Sequence, residues 1–108
     1  MREVKPEGPH IYQDKLYGVG PEAILVGSAS WQQWLGQAEA REFVFRVEGT
    51  WHRARRERRG QRAYWYVSRR VGGQVRRFYL GAAEGLDRAR LESVAAAITA
   101  AQSAAQKR

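Results

Sequence analysis

The 108-residue chain has no cysteine, which excludes a disulfide framework, a thiolate nucleophile and a cysteine metal site, and points to a reducing intracellular compartment. Histidine is nearly as scarce. His10 lies in a polar lead-in and His52 in an arginine-rich stretch, neither with a serine or carboxylate constellation beside it, so a positioned base and a paired-histidine zinc site are both missing. The carboxylates are scattered singly, and no P-loop occurs. No apolar run approaches the roughly 18 residues of a membrane span, and the opening MREVKPEGPH lacks the apolar middle of a signal peptide. The expectation is a cytoplasmic, non-enzymatic protein with no cofactor, no metal and no membrane partner.

What is present in excess is arginine. Nineteen basic and eleven acidic residues give a net charge of +8, and the sequence pI is about 10.6, above the value of about 9 that marks nucleic-acid-binding domains. Between Arg46 and Arg77, eleven arginines face only Glu48 and Glu57, a net of +9, while the remainder of the chain is close to neutral. Arginine's planar fork suits phosphate and guanine, although a GC-rich genome produces the same bias.

A length of 108 residues and a mass of 12.3 kDa allow one domain. Residues 1–22, with scattered proline and glycine, predict an extended or irregular arm. Gly18 to Ala23 matches G-x-G-x-x-A, but a polar stretch precedes it and Pro21 interrupts it, so a turn is expected. Ala23 to Val26 is a short apolar run. Ser28 then offers a helix cap for Trp31, Trp34 and Leu35, predicting a short helix over 29–35 that covers the core.

From Phe43 the apolar period becomes two, and strands are expected over Phe43–Val47, Thr50–Arg58, Arg62–Val71 and Gln74–Leu80. Gly72-Gly73 is a type I′ hairpin signal, which pairs Val71 with Gln74 and steps back to Tyr66 with Tyr79 and Trp65 with Leu80. One face then holds Trp65, Val67, Phe78 and Leu80. The other holds Tyr64, Tyr66, Ser68, Arg70, Val75, Arg77 and Tyr79, tyrosine interleaved with arginine. Asp87 caps a final helix whose stripe is Leu91, Val94, Ala95 and Ile98, with Leu86 and Leu91 as a hydrophobic staple; the basic tail from 102 to 108 should fray. The fold class is therefore α+β: a three- or four-stranded antiparallel sheet with a carboxy-terminal helix on one face, in a domain spanning 23–101.

The run from Tyr64 to Arg70, then Gly72-Gly73, then Arg76 to Gly81 and the helix from Asp87 resembles the sheet-plus-helix modules that serve as arm-type DNA-binding domains of tyrosine integrases, and more distantly the AP2 type. Ser28, Trp31, Trp34 and Leu35 are similar to a segment seen ahead of some bacterial LuxR/MalT-type regulators. The resemblance implies a sheet that lies in the major groove of DNA. With the register above, the expected contacts are Tyr64, Tyr66, Ser68, Arg70, Arg77 and Tyr79, joined by Arg53, Arg55, Arg58 and Arg59 of the preceding basic strand. The expected function is duplex DNA binding, as a transcriptional or recombination accessory factor, nucleoid-associated if so, acting as a homodimer or beside a regulatory or recombinase protein. The alternatives are a binder of single-stranded DNA or RNA by aromatic stacking, and an adaptor for an acidic protein.

Overall fold

The computed structural model describes residues 8–106, an α+β arrangement measuring 45 × 42 × 21 Å. The short dimension fits one sheet covered on one side only by helices. The sheet has seven strands, β1 (His10–Tyr12), β2 (Lys15–Tyr17), β3 (Ile24–Leu25), β4 (Glu42–Val47), β5 (Thr50–Arg59), β6 (Arg62–Val71) and β7 (Gln74–Gly81), in the order β3-β2-β1-β4-β5-β6-β7. Helices α1 (Ala29–Leu35) and α2 (Arg88–Gln106) pack on one face, with a 3-10 turn at Ala83–Gly85 between β7 and α2.

The sheet exceeds the expected three or four strands because part of the predicted arm belongs to it. β1 and β2 form a hairpin about Gln13 and Asp14, and β1 runs parallel to β4 with His10 opposite Val44. Ile11 and Leu16 are the only apolar side chains these strands send to the helix side, and both are buried. Two lone hydrophobes in three-residue strands leave no sustained period, which is why a polar lead-in was expected. Residues 1–7 of that arm lie outside the described residues. The G-x-G-x-x-A stretch contains bends and no helix, and a Cβ at Gly18 would run into the carbonyl oxygen of Gly8. The predicted fraying from residue 102 is also corrected. The helix continues to Gln106, with Ala101, Gln102 and Ala105 half-buried near the β6–β7 turn; residues 107 and 108 lie outside the described residues.

The helix boundaries follow their caps. Ser28 Oγ accepts from Trp31 N at 3.2 Å, and Asp87 Oδ1 accepts from Arg90 N at 2.9 Å, each satisfying an amide that the first turn leaves unpaired. Trp31 is fully buried and its Nε1 donates to Leu86 O at 2.7 Å, tying α1 to the start of α2. Phe43, Phe45, Ala54, Trp65, Val67 and Leu80 supply the sheet side of the core, and Leu86, Leu91, Val94, Ala95 and Ile98 the α2 side. Trp65 packs its ring 5.0 Å from that of Phe43.

The core face also uses charge. Arg56 crosses under Trp65 and donates to the carbonyls of Gln37 at 2.9 Å and Ala38 at 3.1 Å, closing the end of α1. His52 is the one buried polar side chain of the described core, and its Nδ1 accepts from Arg69 at 2.9 Å. Burial, and then the Arg69 charge, lower its pKa to about 4, so the imidazole is neutral at pH 7.

Candidate nucleic-acid interface

Strand alternation assigns every second residue to the face that no helix covers. The registers line these residues up in rows across the sheet: Tyr17, His10, Val44 and Arg53; then Glu42, Arg55, Tyr66 and Tyr79; then Glu57 with Tyr64, and Arg59 with Arg62. Ser68 pairs with Arg77 and Arg70 with Val75 on the same face. Gly72 and Gly73 both have positive φ, as the type I′ hairpin requires, and the expected register holds from Val71–Gln74 to Tyr66–Tyr79. It then shifts. A bulge pairs Trp65 with Gly81 instead of Leu80, because Gly81 takes a φ of +98° that an extended strand residue does not. Leu80 is buried all the same.

Of the ten predicted contact residues, nine share the open face. Arg58 does not. It follows His52, Ala54 and Arg56 in alternation on the helix side and lines the same hollow as Leu35 and Trp65, so it is withdrawn from the interface.

The centre of the open face is a bonded cluster. Arg77 donates to Glu57 Oε2 at 2.9 Å and lies 4.3 Å over the ring of Tyr66; Arg59 reaches the same carboxylate at 3.5 Å and donates to the Tyr79 hydroxyl at 2.9 Å. Tyr66 and Tyr79 pack 6.3 Å apart. The hydrogen bond from Arg77 lowers the Glu57 pKa from its ordinary value, and the same bond raises that of Arg77. Arg77 is one of the expected nucleic-acid contacts. It is an ion-paired, stacked member of this cluster, because cross-strand alternation brings Glu57 to the same face.

Around the cluster the charge is less constrained. Arg53 is paired with Glu42 at 2.8 Å, and Arg70 donates to Gly73 O at 3.0 Å, bracing its own turn. Arg55, Arg62 and Lys15 make no ion pair among the described residues. Among the described residues, eight cations (Lys15, Arg46, Arg53, Arg55, Arg59, Arg62, Arg70, Arg77) share this face with two carboxylates, Glu42 and Glu57, each already bonded to arginine.

Sequence reasoning missed the far half of the face. Tyr12 and Tyr17 are 43% and 40% exposed there, His10 stacks on Tyr17 at 5.6 Å, and Arg46 lies over the rings of Tyr12 and Trp51 at 5.6 and 5.9 Å. The alternation His-Ile-Tyr and Lys-Leu-Tyr about Gln13-Asp14, with an apolar residue flanked on each side by an aromatic or basic one, was the available signal. Among the described residues no group of three or more His, Asp or Glu could hold a metal, and no helix is long and apolar enough to cross a membrane. Compared with protein-family models, with curated proteins and with solved structures, the chain matches none.

Proposed function

We propose that the open face of the sheet binds nucleic acid, with duplex DNA preferred over single strands. The observation that carries this reading is the imbalance, among the described residues, of eight cations over two ion-paired carboxylates on the sheet face that neither helix covers. Like charges held together destabilise the fold unless a polyanion compensates them. Phosphates in register along two backbones supply that compensation.

The preference for duplex comes from the rings. A stacking platform needs a free aromatic face, and here guanidinium groups already lie over Tyr66, Tyr79, Tyr12 and Trp51. The tyrosines support the arginines and leave the cationic edges outward. Strands β5 to β7 span about 10 Å across, within the major groove width of about 12 Å, and α2 sits behind them. Tyr64, Tyr66, Ser68, Arg70, Tyr79, Arg53, Arg55 and Arg59 are the proposed contacts, with Arg62 and Lys15 added.

The experiment is a salt titration of binding to a 20-base-pair duplex, to its separate strands and to heparin. About four phosphates, one each neutralised by Arg55, Arg62, Arg70 and Lys15, should give a slope of log K on log salt of about −4. Arg55→Ala and Arg70→Ala should each reduce the slope by about one unit. Arg76→Ala, one residue from Arg77 but on the helix side, should leave it unchanged. A flat salt response overturns the reading; tighter binding to single strands than to duplex replaces it with stacking; equal losses from Arg70→Ala and Arg76→Ala reduce it to diffuse charge attraction.

A further inference from the structure

On the opposite side of the sheet a cleft of about 870 Å³ opens between α2 and strands β4 and β5. It exists because of where the large residues of α2 fall. Leu91, Val94 and Ile98 are buried in the common core, and the flank turned toward β4 carries Ala96, Thr99 and Ala100, too short to reach the strands. Phe45, Val47 and His52 form its strand wall. The volume lies in the range of about 300–1,000 Å³ typical of small-molecule sites.

The polar group on this wall is specific. His52 is 3% exposed, and its Nδ1 accepts from Arg69, a residue that can only donate. The proton of the neutral ring is therefore on Nε2, and among the described residues that N–H has no acceptor. That atom is not closed off from the cleft, on whose wall His52 stands. A group seated against it must accept a hydrogen bond, and the guanidinium behind the ring favours a negative one. At the mouth Arg88 is paired with Glu92 at 3.2 Å and Glu48 lines the rim, so any preference for an anion comes from the guanidinium behind the ring and not from the mouth.

We propose that this cleft binds a small apolar carboxylic acid, whose carboxylate accepts from His52 Nε2–H and whose hydrocarbon or aromatic body lies along Phe45, Val47 and the alanine flank of α2. The site is separate from the open face, and the proposal does not depend on nucleic-acid binding.

The test is titration of the full-length protein, without nucleic acid at pH 7.5, by 1-naphthoate and by 1-naphthylmethylammonium, followed by calorimetry and by the ¹⁵N resonance of His52 Nε2. Naphthoate should bind saturably at one site, at least about tenfold more tightly than the ammonium probe, and shift that resonance. Ala96→Trp, at an exposed helix position facing the cleft, should weaken naphthoate at least about tenfold with the melting temperature retained; Ala100→Leu serves the same purpose if the tryptophan variant does not fold. Absence of saturable binding at millimolar naphthoate, equal affinity for acid and ammonium, or unchanged affinity in the filled-cleft variant overturns the proposal.

Discussion

Acidification should destabilise this protein through a single histidine, by an amount that follows from the core geometry. The ordinary histidine pKa of 6.5 falls to about 4 for His52, through burial and the Arg69 charge. Between these values the unfolded chain binds a proton that the folded chain refuses, so stability is complete above about pH 6.5 and is lost as pH falls. Each unit is worth about 1.4 kcal/mol, so the loss is about 2 kcal/mol at pH 5 and levels off near 3 kcal/mol below pH 4. His52→Gln is the perturbation, because the glutamine oxygen can still accept from Arg69 and does not titrate. Urea unfolding followed by tryptophan fluorescence at pH 7.5, 6 and 5 reads the difference between the variant and the wild type. The variant should be less stable than wild type at pH 7.5 and should lose about 2 kcal/mol less on going to pH 5. If both proteins lose the same stability over that interval, His52 is not held neutral by its surroundings and the reasoning fails.

Trp65→Ala removes a fully buried indole that touches Phe43 and supports Arg56, and should cost about 3–5 kcal/mol by thermal or urea unfolding. Glu57→Gln releases Arg59 and Arg77 from their shared carboxylate, so duplex affinity should rise several-fold and the salt slope should steepen by about one unit in the titration above.

The elements that the sequence announced were those with a repeated local signal. Four strands from Phe43 to Leu80 alternate, Gly72-Gly73 needs two positive φ angles, and Ser28 and Asp87 stand one residue before their helices; strand, turn and cap formed where these signals stood. The β1–β2 hairpin carried one buried residue per strand, and its parallel pairing with β4 joins residues 34 apart, which no local pattern encodes. The face of the candidate site was legible from alternation once the glycine turn fixed a register. Its bonding was not, since Glu57 reads as one isolated acid in a basic strand and becomes the centre of the cluster only when β5, β6 and β7 lie side by side. Arg56 and Arg69, on the helix side of the sheet, likewise show only in the folded chain that they close a helix and hold a histidine.

Strand β7 ends the sheet, and its outer backbone edge runs eight residues with Val75 64% exposed. Such an edge invites another strand to add, the route by which sheets grow into aggregates. Here the middle of the edge presents Arg77 to one face and Arg76 to the other. A second copy arriving antiparallel and centred on Arg77 would set guanidinium against guanidinium, and like charges directly opposite destabilise the pairing. The basic residues that make the face attractive to a polyanion also keep copies of the chain from joining through this edge.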